Sequence, residues 1–188
     1  MDPDTDRRIL AELIALLGRL AYGGGRLAAL TPAQWAVLRY FARANRFSRT
    51  ISSFAEFHAT TRGTASQTVK ALVESGYVTR TRSPLDGRST RFDLTDQAHA
   101  ALKEDPFNDV AWAVGELPSK ARAEAAGSLR RILAELVKVR GGKEFGTCPS
   151  CGYFGRCEDG DTFRCHYFGA AVEPRELELL CSNFAREA

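Results

Sequence analysis

The chain has 188 residues, 44% hydrophobic and 26% charged, which suits a soluble globular protein with one cored domain or one domain plus a small appendage. The net charge of +3 leaves a nucleic-acid partner undecided, so the placement of basic residues matters more than their sum. The longest apolar stretch, residues 9–21, contains Glu12 and Arg19 and is too short to span a bilayer, which excludes a membrane partner for it.

Asp2, Asp4 and Asp6 precede Arg7 and Arg8, unlike the basic start and apolar run of a secretory leader, so the expected location is the cytoplasm. Apolar residues Ile9, Leu10, Leu13, Ile14, Leu17, Leu20 and Ala21 recur at helical spacing over 4–22, and Gly23-Gly24-Gly25 is the expected stop. Thr31-Pro32-Ala33-Gln34 reads as a capping box with Pro at the first helical position. The helix it opens turns Trp35, Val37, Leu38 and Phe41 inward, and residues 45–51 form a polar connection. Ser52 or Ser53 is the expected cap of a short helix through Phe54, Ala55 and Phe57. A polar turn from His58 to Arg62 leads to a second helix over about 63–75, buried through Ala65, Val69, Leu72 and Val73, with Gly76 as its stop. Two short helices about a tight turn make a helix-turn-helix.

Residues 77–82 and 90–94 alternate β-branched or aromatic residues with polar ones, and the turn formers of 83–89 lie between them, which predicts a β-hairpin. Thr95 caps a helix through Leu102, Pro106 and Pro118 punctuate the next stretch, and Ser119 precedes a long helix with Leu129, Ile132, Leu133, Leu136 and Val137 on one face.

The helix at 63–75 offers Thr64, Ser66, Gln67, Thr68 and Lys70 outward with Arg62 before it, and no acid intrudes before Glu74. Such side chains suit base edges and phosphates in a major groove that admits one helix. The hairpin adds Arg80, Arg82, Arg88 and Arg91, and Asp86 is placed to hold the Arg88 guanidinium for the minor groove. Taken singly, any such polar face is more often plain surface; their order along the chain is what points to double-stranded DNA.

That order resembles the MarR family of bacterial winged-helix regulators. The resemblance is carried by Leu30-Thr31-Pro32-Ala33-Gln34-Trp35-Ala36-Val37-Leu38, by residues 66–80, by Asp86-Gly87-Arg88-Ser89 and by Leu94-Thr95. It spans roughly residues 4–140 and implies a homodimer with interleaved terminal helices, a palindromic operator, and response to a small-molecule or redox signal. The apolar first and last helices fit a dimer independently, because a monomer would expose them; packing on their own chain's core is the plainer alternative. The expected fold is mainly α-helical with a small β-hairpin wing. Residues 1–140 form the DNA-binding and dimerisation domain, and residues 141–188 form a cysteine-rich module.

All five cysteines, Cys148, Cys151, Cys157, Cys165 and Cys181, lie after residue 147, and in a reducing compartment such a cluster suits a metal better than disulfides. Cys148-Pro149-Ser150-Cys151-Gly152 is the tight turn of a zinc knuckle. The irregular spacing of the rest favours an iron–sulfur cluster, shielded by nearby aromatics such as Tyr153 and Phe163. A metal-free thiol switch is the third reading. Cys181 is expected in a helix after Pro174, on a stripe with Leu177, Leu180 and Phe184, where it could equally be a buried small hydrophobe. A sensing cluster would act by moving the tail against the long helix. An enzyme using the cysteines is the competing class, but no Ser-His-Asp or Cys-His frame and no phosphate-binding glycine loop accompanies His58, His99 and His166. A zinc-bound tail that recruits a protein partner is the third class.

Overall fold

A computed structural model describes residues 3–22, 30–82, 90–157 and 162–186. Helix α1 spans Pro3–Tyr22 and α2 spans Pro32–Arg43. The capping box forms as its chemistry dictates: Thr31 Oγ1 accepts from the Gln34 N–H (3.3 Å) and Gln34 Oε1 accepts from the Thr31 N–H (2.7 Å). Trp35, Val37, Leu38 and Phe41 turn inward from α2, joined by Ala36 and Tyr40.

Helix α3, Ile51–Phe57, is capped by Thr50, not by Ser52 or Ser53. Thr50 Oγ1 accepts from the Ser53 N–H (3.1 Å), so Ser53 enters the helix and its hydroxyl is directed into a buried network. Helix α4, Arg62–Glu74, is capped by Thr61 and buries Ala65, Val69 and Leu72, with Val73 half-buried. Gly76 then takes a left-handed φ of 77°, as expected of a glycine stop.

Strands β1 (Val78–Arg82) and β2 (Thr90–Leu94) pair antiparallel, with Val78 opposite Leu94 and Arg80 opposite Phe92. Phe92 stacks on Phe41 at 5.8 Å, which fastens the hairpin to α2. Thr95 caps α5 (Asp96–Lys103) and its hydroxyl donates to the Gly76 carbonyl (2.8 Å). The core joins α2, α3, α4, the hairpin and α5.

Helix α6 (Phe107–Gly115) occupies the stretch where sequence shows only punctuating prolines, and α7 spans Ser119–Val139. Asp105 makes the entry to α6: its carboxylate accepts from the Phe107 N–H (2.8 Å) and from Arg39 at 2.6 and 2.7 Å. Leu13, Leu17 and Leu20 on α1 and Leu129, Leu133 and Leu136 on α7 are exposed, as is Trp112 on α6 at 70%.

The tail is a three-stranded antiparallel sheet of three-residue strands, β3 (Phe154–Arg156), β4 (Phe163–Cys165) and β5 (Ala170–Val172), with 3₁₀ turns at Cys148–Ser150 and Pro174–Glu176. The helix expected around Cys181 is absent. The Leu180 N–H donates to the Arg43 carbonyl (2.7 Å) and its carbonyl accepts from the Asn45 N–H (2.9 Å). Those backbone groups are spent on a bridge to the end of α2, and the Cys181 N–H goes to Gly146 (2.8 Å), so no helical ladder forms. The tail is therefore seated against the α2–α3 connection. No helix among the described residues is long and apolar enough to cross a membrane.

Candidate nucleic-acid interface and cysteine cluster

Packing on Ala65, Val69 and Leu72 fixes which side of α4 faces out, and Arg62, Thr64, Ser66, Gln67 and Lys70 are all on it, exposed. Thr68 is half-buried and its hydroxyl donates to the Thr64 carbonyl (3.0 Å), so that group is committed to the helix. Thr64 shares its own hydroxyl with Thr61 at 2.8 Å. Lys70 lies 3.7 Å from Glu74, one turn on, an exposed pair worth little in water.

A concave groove of about 520 Å³ runs between α4 and the base of the hairpin. Arg62, Ser66 and Lys70 line it from α4, Arg80 and Thr90 from the strands, and Ser52 from α3. Sequence offers Ser52 only as a possible cap; its place on the groove follows from Thr50 taking that role. Arg82 is exposed at the end of β1. Asp86 and Arg88 lie outside the described residues.

Arg91 is different. It is half-buried and holds Asp93, Nε to Oδ2 at 3.0 Å and Nη2 to Oδ2 at 2.9 Å, while Arg49 donates to the other carboxylate oxygen at 2.9 Å. Burial opposes charge on Asp93, yet hydrogen bonds from Arg49, Arg91 and Thr81 hold its carboxyl below the usual value. Arg91 thus braces the hairpin, and Arg49 ties the pair to the α2–α3 connection through the Ala44 carbonyl (3.0 Å).

In the tail, Cys148, Cys151, Cys165 and Cys181 line one small cavity together with Asn45, Phe47 and Val172. Cys157 stands apart, half-buried, its N–H bonded to the Thr162 carbonyl (2.8 Å). Burial pushes the Cys148 thiol up to about 11, with the neighbouring Cys181, Cys165 and Cys151 adding to it. Burial also raises Cys181, against hydrogen bonds from Asn45, the Asn183 backbone and Ser48 that favour its thiolate. As the side chains stand, no three of the described His, Cys, Asp or Glu residues form a metal-holding set. His166 packs its ring over Gly155, where a Cβ would meet Nε2 at 2.3 Å, and it is not on the cavity.

The groove and the cavity are connected through residues that in sequence look like no more than a polar loop. Ser48 Oγ accepts from the Ser182 N–H (2.9 Å), and Ser53 of α3 donates to Ser182 Oγ (2.9 Å), all three residues being buried. Arg46 reaches the buried Glu176 carboxylate at 2.7 Å. The only sequence signal for these residues is an unusually polar and basic stretch at 43–50.

Residues 30–89 match a family model described as MarR family. No curated protein matches the sequence. The chain is similar to the crystal structure of a MarR transcriptional regulator from Methanosarcina mazei Go1, at 22% identity over 70% of this chain and 99% of that one, with a TM-score of 0.57. It is similar to the transcriptional regulator BldR from Sulfolobus solfataricus, at 20% identity over 72% and 99%, TM-score 0.56. It is also similar to Sco3205, a MarR family transcriptional regulator from Streptomyces coelicolor solved in complex with DNA, at 25% identity over 71% and 86%, TM-score 0.55. Residues 30–89 thus match the MarR family model, and the described part of the chain has the winged-helix fold of these regulators.

Proposed function

We propose that this chain is a sequence-specific DNA-binding transcriptional regulator that works as a homodimer on a palindromic operator. One observation carries the reading: Arg62, Ser66 and Lys70 of α4 and Arg80 of β1 share one open face, with Gln67 exposed on the same helix. Helix α4 enters the major groove, where Gln67 and Ser66 meet base edges and Arg62 and Lys70 meet phosphates. Arg82 contacts the backbone, and Arg88 contacts the minor groove. The complex of Sco3205 with DNA supports this use of the fold.

The dimer is supported by α1, α6 and α7, whose leucines and Trp112 leave a broad apolar surface that a second copy would cover. Two recognition helices would then face successive major grooves. The tail, fastened beside α3, is where a metal or redox signal enters.

Fluorescence anisotropy with the protein's own upstream region, against a scrambled duplex of equal length, tests the proposal at two salt concentrations. The expected result is a clear preference for the native sequence and a steep fall of affinity with salt. Equal binding to both duplexes would overturn it. A monomer by light scattering at working concentration would overturn the dimer.

A further inference from the structure

We propose that Cys148, Cys151, Cys165 and Cys181 bind one zinc ion as a tetrathiolate, and that this ion locks the tail against the α2–α3 connection that leads into the helix-turn-helix. The four side chains come from three separate parts of the tail: the Cys148–Ser150 turn, the end of β4, and the Gly146–Cys181 bridge. They converge on a single cavity, and Cys157 is excluded from it.

Three further observations point to an occupant of this kind. The first is size. The cavity as it stands has about 10 Å³, room for a single water-sized sphere, which accommodates one ion. All-cysteine tetrahedral coordination is a preferred environment of zinc, with sulfur about 2.3 Å from the metal. Reaching that distance needs the thiols turned about χ1, the one torsion each cysteine has.

The second is the buried amide of Asn45, contributed by the winged-helix domain. It is 2% exposed, lines the cavity, and its Oδ1 accepts no hydrogen bond. A desolvated, unanswered acceptor is costly, and a cation beside it offsets that cost. The amide also stands beside the Cys181 sulfur, with Ser48 and the Asn183 N–H, where donors steady a metal-bound thiolate.

The third is the tail's meagre core. Among the tail's described apolar and cysteine side chains, only Cys148, Val172 and Cys181 are buried. A segment of about 50 residues with so little core is usually stapled by a metal or disulfides. Its cysteines form no disulfide.

The consequence for regulation rests on the DNA-binding reading. Ser182, next to Cys181, bonds Ser48 and Ser53, so the ligand segment is joined directly to α3, which packs on α4. With the ion bound, α3 is braced; without it, that brace loosens and α4 loses its fixed setting.

The test uses the full-length reduced protein. Elemental analysis should find one zinc per chain, and cobalt substituted for it should give the visible bands of a tetrahedral tetrathiolate. Cys148→Ser, Cys151→Ser, Cys165→Ser and Cys181→Ser should each lose the metal, whereas Cys157→Ser keeps it. Iron with sulfide, no metal together with no cobalt bands, or a requirement for Cys157 would each overturn the site. The cobalt spectrum of the unaltered chain keeps the test valid where a serine variant fails to fold. Removal of zinc from the wild-type chain should weaken operator binding about tenfold, and readdition should restore it. Zinc bound with operator affinity unchanged by its removal overturns the lock. Zinc bound with no operator preference in any state sinks the regulator reading and leaves the metal site standing.

Discussion

Arg80 and Arg91 look alike in sequence, and the structure sets them apart in a way that binding measurements can check. Arg80 is exposed on the groove and makes no ion pair among the described residues, so it is free to neutralise a phosphate. Arg91 is committed to Asp93 at 2.9 Å. Each neutralised phosphate contributes about 0.9 to the slope of log affinity against log salt. A dimer carries two copies of Arg80, so Arg80→Ala should make the slope shallower by about 1.8. Between about 50 and 200 mM salt its deficit relative to wild type should therefore shrink about twelvefold. Arg80→Lys should keep the wild-type slope. Arg91→Ala should leave the slope unchanged and instead lower stability by about 1 kcal/mol, because Asp93 retains Arg49 as its second partner. Anisotropy titrations over a salt series, with urea unfolding of each variant, give both quantities. Equal slope changes for the two variants would show that the assignment of Arg91 to the fold and Arg80 to the groove is wrong.

Three other predictions concern the scaffold. Asp105→Ala removes the buried carboxylate that pairs with Arg39 and accepts from the Phe107 N–H, so urea unfolding should show a loss of about 3 kcal/mol, much of it recovered in Arg39→Met/Asp105→Leu. Burial among Tyr40, Phe54 and Phe57, then the charge of Arg39, lowers the His58 pKa from 6.5. A depressed folded-state value means that stability is full above the ordinary pKa and declines as pH falls below it, so thermal melts should show a loss below pH 6.5 that His58→Gln removes. Gly76→Ala places a Cβ 3.2 Å from Gln97 Oε1 at a φ of 77° and should lower stability by about 1–2 kcal/mol in the same unfolding assay, whereas Gly63→Ala, whose Cβ meets only Thr61 Oγ1 at an ordinary 3.9 Å, should cost far less.

Much of the winged-helix part was legible because its signals are local. Thr31 and Gln34 sit three residues apart and cap a helix wherever that helix lies. Ala65, Val69 and Leu72 recur at helical spacing, which settles by subtraction that Ser66, Gln67 and Lys70 face outward. The alternation around Val78 and Phe92 is the signature of a hairpin, and Gly76 is the glycine that a left-handed helix stop prefers. Each of these is a matter of a few residues and a backbone period, and a chain of this order has few other ways to satisfy them.

What only tertiary structure decided turns on competition between distant partners for the same atoms. The sequence around Ser52 and Ser53 offers two caps, and Thr50 takes the role because Ser53 is bonded to Ser182, 129 residues away. Arg91 has the look of a DNA contact in sequence, but Asp93 and Arg49 enclose it. The helix expected at Cys181 gives way to backbone bonds with Arg43 and Asn45, and the same bonds gather four cysteines beside Asn45 while leaving Cys157 out. Spacing along the chain names the candidate atoms; which pairs form depends on how strands and loops far apart in the chain are brought together, and no local period encodes that.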